Sequence, residues 1–258
     1  MKLIKSELRK FFTTKTWIFL LVGCVVLSLI QVSLTLSFAG QGGTNGAPTF
    51  PPLDSPQIQK MVLAAPSSAT IFIAILGVIG ITAEYRHKTM APTFLATPIR
   101  WKVIVAKLVT YLLLGVAYAA VAAIFVVAVT AIWVNAGGGS FTLGDGNWKI
   151  LVGAAVAASL YGIIGVSVGA LVRNQVGALS GLLAYMFVIE PILSAIPATQ
   201  DVYRLLPGGA AAALYTYAQN PGMELTLLTP LGGGLLLAAY AAVLAAIGYV
   251  ISTRREVT

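Results

Sequence analysis

The side chains best suited to chemistry gather between residues 84 and 107. Glu84, Arg86, His87, Lys88, Arg100, Lys102 and Lys107 make this the most charged stretch between the first residues and the tail. Apolar runs long enough to cross a bilayer flank it, so these groups suit docking at the water side rather than bond-making. His87 is the chain's one histidine and has no second ligand nearby in sequence. It reads as a solvated loop histidine rather than a metal ligand or a catalytic base. A second ionisable group, Glu190, lies inside an apolar run and is followed by Pro191. A carboxylate in a bilayer is costly and marks function by default. Pro191 lacks an N–H, which leaves a carbonyl one turn earlier without its usual partner and permits a kink. Because Glu190 falls near the outer end of its span, it reads equally as a group snorkelling to water and, with Pro191, as an outer gate.

Familiar catalytic sets are missing. There is no Gly-x-x-x-x-Gly-Lys-Ser/Thr phosphate loop, no His-Glu-x-x-His and no cysteine pair. No catalytic residue, metal site or cofactor is therefore assigned to this chain, and an enzyme is not expected.

The elements that must position these groups are membrane spans. Of 258 residues, 58% are hydrophobic and 9% charged. Soluble proteins carry roughly 25% charged residues, so the composition indicates an integral membrane protein. The net charge of +8 resembles a nucleic-acid signal, but the basic residues sit beside apolar runs, where they orient spans, and no nucleic-acid partner is expected. The single cysteine, Cys24, lies in an apolar run and cannot form an internal disulfide. The apolar run at 17–38 is longer than the roughly 7–15 residues of a signal-peptide core, so it reads as a retained span.

In chain order, residues 1–16 place Ile4, Leu8, Phe11 and Phe12 at helical spacing beside five basic residues. That pattern predicts an amphipathic helix lying in the headgroup plane. Spans are predicted at about 17–38, 67–83, 104–134, 148–172, 176–196 and 227–251. Ser55-Pro56 supplies a cap and first-turn pair for a short helix ending near Ala65. The segment 84–103 reads as a polar loop. The segment 197–226 contains an apolar piece too short to span, which suggests an interfacial or re-entrant helix on the extracellular side. The expected fold is thus an all-α integral membrane protein of six transmembrane helices, with 1–258 a single transmembrane domain. With both ends placed inside, thirteen of the sixteen Lys and Arg residues fall on the inner side, and Lys60, Lys149 and Arg204 fall outside. The positive-inside rule favours that orientation. Small residues recur at four-residue spacing at Gly165 and Gly169 and at Gly177 and Gly181, which lets helices approach closely. Packing within one subunit is expected from them ahead of a dimer seam. No internal repeat supports an inverted-repeat carrier.

Within the polar loop, Thr89 can cap a short helix that tolerates Pro92 in its first turn and must end before Pro98. Thr97-Pro98 repeats the cap-and-proline signature and opens the next span. Arg100, Trp101 and Lys102 fall where such residues anchor a span. Phe94 and Leu95 on the short helix would face lipid or a partner. An ordinary basic, orienting loop explains the charges and Trp101, but not two successive capped starts.

This stretch resembles the first cytoplasmic loop of ABC-2-type transporter permeases. That pattern places a Glu-x-Arg, a Thr, a Leu, a Pro, an Arg and a Lys at the head of span three. Here these are Glu84, Arg86, Thr89, Leu95, Pro98, Arg100 and Lys107. The basic N-terminal helix, the six spans, Glu190-Pro191 and Leu206-Pro207 also resemble this group, especially its actinobacterial members. Lys88 departs from the pattern, since many relatives have glycine there. The resemblance implies the permease subunit of an ATP-driven exporter in a bacterial plasma membrane, multi-pass, with cytoplasmic N- and C-termini. Two chains, identical or not, would pair, and a separate ABC ATPase carrying ATP and Mg would dock on each. The coupling helix would hold Phe94 and Leu95, and Arg173, Asn174 and Gln175 would make a smaller second contact. Few charges in the spans suit an amphipathic or hydrophobic cargo such as a drug or lipid. Two other readings stay open: a non-transporting sensor or immunity partner of an ATPase, and an ATP-independent carrier. The carrier calls for mid-membrane carboxylates, and the spans offer only Glu190.

Overall fold

The computed structural model describes residues 2–42, 50–89, 99–144, 146–216 and 226–254. These are helical, with no strand among them. An amphipathic helix α1 (Lys2–Thr13) leads into α2 (Thr16–Ser37). Then come a short α3 (Pro56–Leu63), α4 (Ala69–Arg86), α5 (Arg100–Ala136) and α6 (Asn147–Val172). Span five is made of α7 (Gln175–Ala184), a π-helical segment (Tyr185–Ile189) and α8 (Glu190–Ala195). Two short helices, α9 (Gln200–Tyr203) and α10 (Pro207–Tyr215), precede α11 (Pro230–Arg254). Six helical stretches among the described residues are long and apolar enough to cross a membrane, counting α3 with α4 and α7 with α8. The chain is a multi-pass membrane protein by that measure.

Helices α4 and α6 form the centre and are mostly buried, whereas α2, α7–α8 and α11 lie at the periphery with few of their residues buried. The contact between α4 and α6 depends on glycine. A β-carbon built on Gly165 would come within 2.2 Å of the Ala74 carbonyl oxygen, and one on Gly169 within 2.4 Å of Ile81 Cγ2. Backbones that touch in this way gain dispersion contacts that larger side chains would forbid. The second glycine pair behaves otherwise. Gly177 meets only ordinary neighbours and Gly181 has nothing within 4 Å, so packing within the chain uses Gly165 and Gly169 but leaves Gly181 open. A smaller cluster of Val32, Leu36, Ile58, Val62, Val126 and Val134 closes the end where α3 lies.

The element ends follow local chemistry. Ser55 caps α3, its hydroxyl accepting from the Ile58 N–H at 3.2 Å with Pro56 in the first turn, as the sequence predicts. Helix α4 runs past the expected end of span two, and α5 starts at Arg100. Glu84 and Arg86 therefore sit in the last turn of a helix rather than in a loop. Headgroup-level polar residues do not stop a helix whose backbone bonds remain satisfied. Helix α4 ends in a Schellman turn: Thr89 N–H bonds the Glu84 carbonyl at 3.0 Å and Lys88 N–H the Tyr85 carbonyl at 3.2 Å. Lys88 holds the left-handed position at φ 53°, where glycine has no β-carbon penalty. That geometry favours glycine, and here a lysine adopts it. Span five is broken where Pro191 permits a kink. Pro191 has no N–H to give, and just before it the ladder widens so that the Glu190 N–H reaches Tyr185 O.

Five pieces meet at one end of the bundle: α1, the end of α4, the start of α5, the α6–α7 turn and the end of α11. This is the basic end. The α3 helix, residues 137–144 and α8–α10 lie at the other.

Candidate functional site

The α1 sequence alternates a greasy face with charges, and its one acidic residue, Glu7, turns inward. Glu7 is 6% exposed and Lys107, on the first turns of α5, is 3% exposed. The Lys107 ammonium contacts Glu7 Oε2 directly and donates to Glu84 Oε1 at 2.9 Å. Lys10 Nζ completes the set, donating to Glu7 Oε1 at 2.7 Å and to Glu84 Oε1 at 2.9 Å. Two carboxylates and two ammoniums from three helices thus neutralise one another, with Glu7, Glu84 and Lys107 buried and Lys10 half-exposed at the edge. Charges of one sign buried here would be untenable; the alternation makes burial tolerable. Burial itself works to raise the Glu7 carboxyl pKa, but Lys107 together with Lys10 overcomes it and holds Glu7 below its ordinary value. Burial likewise disfavours the Lys10 ammonium, yet its bonds to Glu7 and Glu84 win and its pKa is raised. One acceptor is left over: Glu84 Oε2 is buried with no hydrogen-bond partner among the described residues. Beside the lattice is a cavity of ≈ 390 Å³ that Glu84, Lys107, Tyr111, His87 and Thr89 help to line.

The sequence-predicted residues distribute around this lattice unevenly. Glu84 and Lys107 belong to it. Arg86 lies exposed on the last turn of α4. Thr89 closes that helix, its hydroxyl also approaching the Glu84 carbonyl at 3.4 Å; the short helix it was expected to cap falls outside the described residues. Phe94, Leu95 and Pro98 lie outside them too, and of Arg100 only the backbone, opening α5, is described. Glu7 and Lys10 were not singled out as a pair. The available signal was a lone acid, three residues before a lysine, in an otherwise basic amphipathic helix.

The α6–α7 turn stands beside the lattice and is tied inward. Arg173 holds the left-handed conformation at φ 56°. Its guanidinium donates to the Ile251 carbonyl at 2.7 Å and stacks over the Tyr85 ring at 5.2 Å. Tyr85 in turn shares a hydrogen bond with Ser252 at 2.8 Å. Asn174 is the cap of α7, its Oδ1 accepting from Gly177 N–H at 3.0 Å, while Gln175 opens the helix, partly exposed. The turn therefore joins α4, α6 and α11 at the basic end.

Glu190 belongs to a different place. It was read as near enough to the outer end to snorkel, but it is 6% exposed and turns inward. Its Oε1 accepts the Gly208 N–H at 2.6 Å, at the start of α10. Helix α10 presents its positive end to the carboxylate. A β-carbon on Gly208 would lie 2.1 Å from Glu190 Oε2, so only glycine allows this approach. Pro191 supplies the break that lets α8 turn toward α10. The α10 helix is buried from Gly209 to Leu214 and, at nine residues, is too short to cross a bilayer.

One motif escapes the inventory of catalytic sets above. Gly165-Val166-Ser167-Val168-Gly169 has the spelling of a nucleophile elbow. It lies in mid-helix, with Ser167 2% exposed and its hydroxyl donating to the Ile163 carbonyl at 2.7 Å. A strand-to-helix turn that would project the serine is absent there, so the match is helix packing. In comparisons with known proteins, no family model matches the chain and no curated protein matches it significantly.

Proposed function

We propose that this chain is the membrane-spanning subunit of an ATP-driven exporter of the ABC-2 permease type. It works in a bacterial plasma membrane with its basic end in the cytoplasm, and moves an amphipathic or hydrophobic cargo outward. The observation that carries the reading is the four-charge lattice of Glu7, Lys10, Glu84 and Lys107. It clamps the helices on both sides of the 90–98 segment to each other and to α1. A partner pushing on that segment would therefore move α1, α4 and α5 as one body rather than bend a loop. Such rigid transmission is what an ATPase on the water side needs in order to switch a membrane domain between two arrangements. Helix α1 lies in the headgroup plane and braces the mount. Pairing with a second permease chain, identical or not, is supported by Gly181, whose open surface on α7 no neighbour among the described residues fills.

The test is a mild-detergent co-purification of the tagged chain with the ATPase encoded beside it, scored for complex and for ATP turnover. A stable, ATP-hydrolysing complex is expected. Phe94→Ala with Leu95→Ala is expected to abolish ATPase association while leaving membrane insertion intact. A folded chain that never retains the ATPase would sink the reading, and full complex recovery from the double variant would remove the coupling role of Phe94 and Leu95.

A further inference from the structure

The Glu190 carboxylate adjoins a second cavity, of ≈ 170 Å³, where α2, α4, α6, α8 and α10 come together. Its lining is rich in hydroxyls. Tyr161, Tyr203 and Tyr215 contribute from three elements, Ser67 and Thr70 from the start of span two, and Gln31, exposed on α2, lies at its rim. No Lys or Arg lines it, and Glu190 makes no ion pair among the described residues. A carboxylate has about four lone-pair sites. The Gly208 N–H uses one. The half-charge of the α10 terminus offsets only part of a full negative charge. What remains is a buried, incompletely compensated anion facing a space larger than the ~30 Å³ share of one water molecule and walled by aromatic rings and hydroxyl acceptors. That set of groups complements a positive charge carrying N–H donors on a small organic body. Hydroxyl oxygens and the carboxylate accept the donors, and tyrosine rings attract the charge.

We propose that this cavity binds an organic ammonium group, with Glu190 as its counter-ion and Tyr161, Tyr203 and Tyr215 as its walls. The group is carried either on a small free amine or on the headgroup of an amino-lipid. Binding here needs neither ATP nor a partner subunit, so it is tested on the chain alone and stands or falls apart from the exporter reading.

The experiment places the purified chain in nanodiscs of phosphatidylglycerol alone and follows loss of the unmodified Glu190 peptide under carbodiimide by mass spectrometry, so that any amide the amine forms with activated Glu190, releasing the urea, counts as labelling. The soluble probe is ethanolammonium chloride, compared with sodium chloride at equal ionic strength. With the probe at about ten times its Kd, occupancy should slow labelling about tenfold, and sodium should not. The probe should also raise the thermal midpoint of the wild-type chain but not of Glu190→Gln. Equal labelling rates in the two salts overturn the proposal on the wild-type protein, whether or not the variant folds. So does an equal thermal shift in a folded Glu190→Gln. A second arm distinguishes the sources. Nanodiscs containing phosphatidylethanolamine should protect Glu190 without added amine if the headgroup is the ligand, and should leave the protection to soluble ethanolammonium if a free amine is.

Discussion

Lys107 shows how a single residue can serve as a keystone without doing chemistry. It is 3% exposed and contacts both Glu7 and Glu84, so its removal leaves two buried carboxylates with only the half-exposed Lys10 between them. Breaking a buried pair by deleting one partner costs about 3–5 kcal/mol. Lys107→Met should accordingly lower the thermal midpoint of the chain in detergent sharply, whereas Lys5→Met, on the exposed face of α1, should leave it unmoved. The same lattice has a pH signature. Glu7 is held below its ordinary value of 4.5. Its folded-state pKa is depressed, so the stability it contributes is present above that ordinary value and is lost as pH falls through the folded one. Lys10 is raised above its ordinary 10.5, so its contribution is full below 10.5 and fades only as pH rises past it. The stability gap between wild type and Glu7→Gln should be flat across neutral pH and shrink below pH 4.5, as read from paired thermal melts. A gap that shrinks instead between pH 6 and 8 would mean that Glu7 does not govern the attachment of α1.

At the scale of elements, spacing and burial part company. Sequence shows two glycine pairs of equal form, yet Gly165 sits 2.2 Å, by its absent β-carbon, from Ala74 O while Gly181 has nothing within 4 Å. Gly165→Val should therefore separate α4 from α6 and cost several kcal/mol in the manner of overpacked cores, visible as loss of monodisperse protein. Gly181→Val should leave the single chain's stability within about 0.5 kcal/mol, measured on protein diluted to the monomer. The contrast marks what a sequence can tell. The spans were legible because an apolar run of bilayer length leaves the backbone no alternative to a helix, and Ser55-Pro56 was legible because capping is local. The partner of Gly165 was not, since periodicity names a face but not the helix opposite. The break in span five was anticipated at Pro191, but the inward turn of Glu190 was not. It depends on Gly208, eighteen residues later, whose need to lack a β-carbon appears only in three dimensions. The lattice was half legible: Glu84 and Lys107 through resemblance to a loop pattern, Glu7 through nothing but its being the one acid in a basic helix.

For the whole molecule, the distribution of charge and the fold meet in one statement about orientation. Helix α1, the ends of α4 and α11 and the α6–α7 turn are joined by bonds from Lys107, Tyr85 and Arg173, so the residues they carry share one end of the bundle. That end holds most of the Lys and Arg residues, and Lys60 and Lys149 lie toward the other. A bilayer that places the richer end in the cytoplasm follows the positive-inside rule. The chain is well suited to testing this, because its one native cysteine, Cys24, is fully buried and hydrogen-bonded beside Ser28 and Ser68 and should resist maleimide while the protein is folded. In intact cells, Lys149→Cys, exposed at the far end, should be labelled by a membrane-impermeant maleimide at once, and Lys5→Cys only after the membrane is opened. The reverse pattern would put the lattice and its cavity outside, beyond the reach of any cytoplasmic ATPase, and the exporter reading would fall with it. Labelling of both sites in intact cells would mean that the two ends do not lie on opposite faces, and would remove the membrane-crossing arrangement itself.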